Sequence, residues 1–350
     1  MTLAPLFSDV EILKTLWRKG HNGHWEISGI KGLRLKPRAG SESDYFSIDP
    51  TFELMTSSPG GLSFEGLLQT FGHTDFLLQQ SIVPVIAFLE GDRTAKCIGT
   101  AFVVSCSGYL ITASHVLTDP QESGYAPLRP VLGGRAFGPD LNMGVLVPIN
   151  PAQGITESLF LPFESARHWG QWQQSPLIHE PERFEMFTDI AVCKVAELPR
   201  GLAHQPLNLS LRPFSEGEMT YTIGYAEMQD FSIQIAQDGS LTTPSLQREI
   251  FVSVGPAMQS YPENHLRKEV PTPGPCFDYR AKVPGKMSGA PIFGGDGTVV
   301  RGIVSRSFSG EKHAFGAMLG AAMRLPLASG RTLNDLMGAA SEGMPNIQGM

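Results

Sequence analysis

From residue 81 onward the chain is dominated by short apolar runs broken by glycine, proline or polar turns. The runs are short and rich in β-branched residues, which favours strands over helices. They predict strands at Ser81–Leu89, Cys97–Ser105, Tyr109–Thr112, Gly144–Ile149 and Asp189–Val195 in the first half. A second group follows at Met219–Tyr225, Glu249–Val254, Pro291–Phe293, Thr298–Ser305 and His313–Leu319. The interval Pro120–Arg183 is long and is expected to hold inserted surface loops beside strands such as Gly144–Ile149. The ends read differently. Ser8-Asp9-Val10-Glu11 is a capping-box pattern that predicts a helix with Val10, Leu13, Leu16 and Trp17 on one side, stopped at Lys19-Gly20. Further helices are expected at Ser63–Phe71 and Thr332–Ala340, with Pro37–Gly61 as an ordered loop or linker.

Composition narrows the class. With 350 residues, 41% hydrophobic and 17% charged, the chain can bury a substantial core and hold more than one folding unit. A net charge of −7 argues against general nucleic-acid binding. The charge is uneven, since residues 1–40 hold seven Lys/Arg against three Asp/Glu while residues 41–80 hold six acids and no Lys/Arg. The basic run Lys31–Arg38 is expected to be a solvated face balanced by the acidic half. No stretch reaches the roughly 18 unbroken apolar residues of a membrane helix. No charged start precedes an apolar core at the N-terminus, so no membrane association and a cytoplasmic location are expected. Cys97, Cys106, Cys193 and Cys276 are then expected to stay reduced, and His21-Asn22-Gly23-His24 is a loop without a metal-ligand cluster.

The candidate chemistry lies in three segments. Gly285-Lys286-Met287-Ser288-Gly289-Ala290-Pro291 presents one serine among small residues, where glycines let consecutive N–H groups point at a single oxyanion. Gly108-Tyr109-Leu110-Ile111-Thr112-Ala113-Ser114-His115 brings a histidine to the end of a strand. Phe187-Thr188-Asp189-Ile190-Ala191-Val192 puts an aspartate at the mouth of another. A serine hydroxyl needs an adjacent base, and histidine can take its proton and later return it to a leaving amine. A carboxylate on the other ring nitrogen fixes the tautomer and stabilises the imidazolium.

In this order, His115, Asp189 and Ser288 resemble the chymotrypsin-fold (trypsin-like) serine peptidases, in particular their bacterial-type branch, over about Ser81 to Arg324. The resemblance implies an all-β fold of two six-stranded antiparallel β-barrels, preceded by a partly helical N-terminal extension and followed by a C-terminal helix. Its boundaries would be 1–78 for the extension, 79–204 for the barrel with His115 and Asp189, 205–326 for the barrel with Ser288, and 327–350 for the tail. It also implies a serine endopeptidase acting through an acyl-enzyme on a protein or peptide substrate, with no cofactor or metal. The oxyanion hole would be the backbone N–H groups of Lys286 and Ser288. Ser305, Arg306 and Ser307 would border the substrate, with Ser305 turned toward Asp189 and Lys282 near the base of the primary pocket.

Two departures from the family pattern matter. Met287 stands where many secreted members have the aspartate that pairs with a new N-terminus, so activation through that salt bridge is excluded. Lys286 replaces a frequent glycine at the first oxyanion position. Residues 1–78 are read as a cover, a dock for a regulatory protein partner, or a stabilising addition. A catalytically silent scaffold that binds an extended peptide, and an esterase with the same triad, stay open beside the peptidase.

Overall fold

β-Strands supply most of the regular structure, and their pairing builds two barrels. The computed structural model describes residues 81–338 except 106–107, 119–139, 149–157, 174–182, 196–206, 208, 227, 236–240, 243–249, 263–269, 295–299, 309–310 and 328. It also describes short strands at 15–19, 25–29, 35–37, 45–48 and 347–348.

The N-terminal segment corrects the sequence reading. Thr15–Lys19 is a strand (β1) paired antiparallel with Trp25–Gly29 (β2), not the end of a helix. At Leu16 and Trp17 the expected helical stripe gave way to a hairpin pairing with β2, which helical periodicity does not report. The Pro37–Gly61 segment, expected to be a loop or linker, contains the strand Tyr45–Ile48 (β4), which pairs with Leu35–Pro37 (β3). The helix expected at Ser63–Phe71 lies outside the described residues.

The first barrel contains Ile82–Leu89 (β5), Thr94–Val103 (β6), Tyr109–Ala113 (β7), Leu141–Pro148 (β8), Ser158–Gln173 (β9) and Arg183–Val195 (β10). They run in the order β6-β5-β8-β9-β10-β7, and a β6–β7 pairing closes the ring. In β5 every residue from Ile82 to Phe88 is buried, as an unbroken apolar run predicts. Pro84 is tolerated inside it because pairing with β8 begins only at Val85. The 16-residue β9 lies within the stretch expected to hold inserted surface loops beside strands. One helical turn, Ser114–Thr118 (α1), follows β7 directly.

The second half adds Leu209–Ser210 (β11), Met219–Tyr225 (β12), Phe231–Ser232 (β13), Gln234–Ile235 (β14), Leu241–Thr242 (β15), Ile250–Tyr261 (β16), Cys276–Tyr279 (β17), Pro291–Phe293 (β18), Val300–Ser307 (β19) and Ala314–Met318 (β20). Six of them form a ring, β12-β18-β19-β20-β17-β16, closed by β12–β16. Closing each sheet on itself removes the exposed edges that a strand-rich chain would otherwise present. Strand β13 crosses to pair with β6, and β4 from the N-terminal segment pairs with β16 through Phe251–Ser47 and Val252–Phe46. After β20 come the short helices Gly320–Arg324 (α2) and Leu333–Gly338 (α3), the latter within the expected C-terminal helix, and then the strand Ile347–Gln348 (β21).

One apolar cluster joins the barrels. Phe102, Ile111 and Val192 of the first pack into it with Ile223, Tyr225 and Ile303 of the second. The Tyr225 hydroxyl donates to Ile82 O at 3.1 Å, which satisfies a buried polar group across the joint. The two halves of the site are therefore held against one another by core packing.

Candidate active site between the barrels

His115 and Asp189 come together as their positions suggested, and irregular backbone delivers both. β7 ends at Ala113, and the α1 turn carries His115 off its end. On β10 the register with β9 jumps between Met186–Gly170 and Ala191–His168, so a bulge lifts Asp189 out of the ladder. Asp189 Oδ2 lies 2.7 Å from His115 Nδ1, and Oδ1 accepts the His115 backbone N–H at 2.9 Å. Both side chains are 1% exposed. The Ser305 hydroxyl also donates to Asp189 Oδ2. It projects from a second bulge, where Val304 pairs with Gly316 and Arg306 with Phe315.

Burial alone would raise the Asp189 carboxyl. The His115 charge and hydrogen bonds from His115 and Ser305 outweigh it and hold the group below its ordinary value. An ionised carboxylate only accepts, so His115 Nδ1 carries the proton that joins them and neutral His115 keeps a lone pair on Nε2. That is the tautomer a general base requires.

Ser288 sits on a tight turn in which Ala290 N donates to Met287 O at 2.9 Å. Glycine is required beside it. Gly289 has φ +85°, and a Cβ there would come 2.2 Å from Thr100 O and 2.8 Å from Ala113 N. β6 and β7 pair at Phe102–Ile111 and Val103–Leu110 and then separate, and the serine loop enters the gap. Thr100 N donates to Ser288 O at 2.9 Å, and Gly289 N donates to Val304 O at 2.8 Å. Gly99 is equally confined, since a Cβ there would lie 2.7 Å from Val116 and 3.1 Å from Ser288 O. The loop with Ser288 thus packs against the segment that carries His115. Met287 is fully buried in an apolar cluster with Val283, Ala290 and Ile292, an anchoring role that needs no ion pair.

Lys286 has φ +74°, the only positive value at a non-glycine among the described residues. A left-handed L-residue costs about 1–2 kcal/mol. The Thr100 hydroxyl lies 3.1 Å from Lys286 O, and a hydrogen bond contributes about 1 kcal/mol net. The two magnitudes are comparable, so local contacts decide whether this turn keeps its shape.

Arg306 and Ser307 end β19 half-buried, paired with Phe315 and Ala314 of β20. Lys282 is also half-buried, and its carbonyl accepts from the Ser253 hydroxyl at 2.7 Å. Cys97, Cys193 and Cys276 are free and buried. Burial pushes the Cys97 and Cys276 thiols up to about 12 and raises Cys193 as well, so none offers a competing thiolate. Among the described residues, no group of three or more His, Cys, Asp or Glu is placed to hold a metal ion, and no helix is long and apolar enough to cross a membrane.

Two features were missed in the sequence. His168, opposite Ala191 on β9, lies buried with Nδ1 2.6 Å from the Ser114 hydroxyl, next in sequence to His115. Its Nε2 has no hydrogen-bond partner among the described residues, and burial lowers its pKa to about 4. Thr100 was the other, read only as part of a strand.

Residues 99–301 match the model of the trypsin-like peptidase domain, a span that covers His115, Asp189 and Ser288. The chain belongs to the trypsin-like peptidase family. Its two closed barrels are the fold expected of a serine protease of that family. Among solved structures, the peptidase is similar to the inactive form of the Rv3671c protease at 17% identity and a TM-score of 0.35, covering 69% of this chain and 85% of that one. The active form of the same protease, from M. tuberculosis, gives 17% identity and a TM-score of 0.35, with 77% and 84% covered. No curated protein matches the sequence.

Proposed function

We propose that this peptidase is a serine endopeptidase in which Ser288 is the nucleophile, His115 the general base and acid, and Asp189 the group that orients His115. The observation that carries the reading is the buried His115–Asp189 pair, in which one carboxylate accepts the ring N–H, the backbone N–H and the Ser305 hydroxyl. Such a pair is costly to bury, and it is well suited to stabilising an imidazolium formed during a reaction.

Ser288 Oγ attacks the substrate carbonyl while His115 Nε2 takes its proton, and the N–H groups of Lys286 and Ser288 stabilise the oxyanion. Collapse expels the amine, protonated by His115, and leaves an acyl-enzyme. Water then attacks by the same route in reverse. A peptide is favoured as substrate because the β18–β19 register ends at Ile303, Val304 bonds to Gly289 and Ala290 of the serine loop, and Arg306 and Ser307 carry the strand on past that loop. An extended segment can add there as a further strand.

Cleavage of an unfolded protein substrate tests the reading. Ser288→Ala and His115→Ala are each expected to abolish turnover while both proteins stay folded. A Ser288→Ala protein that cleaves at the wild-type rate would overturn it.

A further inference from the structure

Thr100 lies on the first barrel, fully buried, yet most of its polar contacts reach the second. Its backbone N–H donates to Ser288 O at 2.9 Å. Its hydroxyl accepts the Tyr225 N–H at 3.1 Å and has Lys286 O at 3.1 Å, with Tyr225 O farther away at 3.5 Å. A hydroxyl has one proton to give, and the shorter approach directs it to Lys286 O. The Thr100 carbonyl is taken by the Thr112 hydroxyl at 2.7 Å, which leaves the residue no freedom to turn.

From this we infer that Thr100 is a positioning residue for the oxyanion turn, an inference that rests on the serine-peptidase reading above. The carbonyls of Lys286 and Ser288 are both gripped by this one residue from the opposite barrel. Those carbonyls belong to the two residues whose N–H groups are to meet the oxyanion. Lys286 at φ +74° has a conformation that its side chain opposes, and glycine would adopt it freely. Gripping the Lys286 carbonyl holds the turn in that conformation and ties the shape of the oxyanion hole to the packing of the two barrels. A glycine at this position would need no such grip. Thr100 and Lys286 therefore act as a matched pair.

The test is the rate at which Ser288 of the full chain is phosphonylated by a fluorophosphonate. Ser288 Oγ displaces fluoride from phosphorus, and the phosphoryl oxygen occupies the oxyanion position. Thr100→Val keeps the shape and removes the hydroxyl, and it is expected to slow labelling by about tenfold to a hundredfold. Thr100→Ser keeps the hydroxyl and should label within about threefold of wild type, the scatter expected of a single contact. In the Thr100→Val background, Lys286→Gly should restore most of the lost rate. General loosening of the barrel interface would not be repaired by that second change. Should Thr100→Val not fold, Thr100→Cys puts a weak donor in the place of the hydroxyl and, like Thr100→Ser, lacks the γ-methyl, so slower labelling than in Thr100→Ser is expected from it. Unchanged labelling in folded Thr100→Val, or no recovery on adding Lys286→Gly, would overturn the inference. Absence of Ser288 labelling in wild type would instead remove the reading beneath it.

Discussion

Asp189→Asn is expected to leave both barrels folded and to lower kcat by about 10⁴-fold, a magnitude carried over from serine-peptidase triads. The hydrogen bonds around the carboxylate give the reason. Asp189 accepts from the His115 backbone N–H at Oδ1, and from His115 Nδ1 and the Ser305 hydroxyl at Oδ2. Asparagine has one acceptor oxygen and one donor group for these two places. The backbone N–H cannot change its role, so the oxygen goes to the Oδ1 place and the NH₂ faces His115 Nδ1. Ser305 can rotate to accept, but His115 must then shift its proton to Nε2, where it can no longer take one from Ser288. The geometry survives and the tautomer is wrong. Turnover measured beside the thermal midpoint checks this, and a folded Asp189→Asn protein within tenfold of the wild-type kcat would contradict it.

Acid should destabilise the protein through His168. Its folded-state pKa is lowered to about 4 from 6.5 because burial disfavours the charged ring. A lowered histidine contributes stability that is fully present above pH 6.5 and is lost as pH falls toward 4, since only the unfolded chain binds the proton in that interval. Between pH 7 and 4.5 the loss from this one group is about 2 to 3 kcal/mol. Asp189, held below its ordinary value of 3.8, adds its own loss only at lower pH. Denaturant unfolding across pH 4.5–7.5 should therefore show a steeper acid decline for wild type than for His168→Gln, which cannot charge. Parallel curves for the two proteins would contradict this assignment.

Which parts of the molecule could be read from its sequence follows from how local their signals are. His115 and Ser288 sit in unbroken motifs whose glycines and small residues are demanded by contacts seen in the structure, above all Gly289 wedged against Thr100 and Ala113. The strands around them are apolar runs whose burial needs no partner to be recognised. β9 escaped because its alternation is broken. Leu161 and Phe163 are buried, then Ala166 and His168, and the one-residue change of phase matches the bulge between Lys194–Ser165 and Val195–Phe163. A proline and a buried histidine within the same run obscure it further. The β1 strand depends on a hairpin with β2, and β4 on pairing with the far-off β16, and nothing in Leu16 or Phe46 alone announces Ile27–Trp17 or Val252–Phe46. Ser305 was legible through its motif. The grip of Thr100 was not, because it exists only once two barrels separated by more than a hundred residues of chain are packed together.

The most direct measurement of the central claim is fluorophosphonate labelling of the wild-type chain, with the modified residue located by peptide mass spectrometry. Stoichiometric modification at Ser288, lost in Ser288→Ala and strongly slowed in His115→Ala, is the expected result. Wild-type protein that is folded and stays unlabelled, or that carries the label on another residue, would contradict the assignment of Ser288 as the nucleophile.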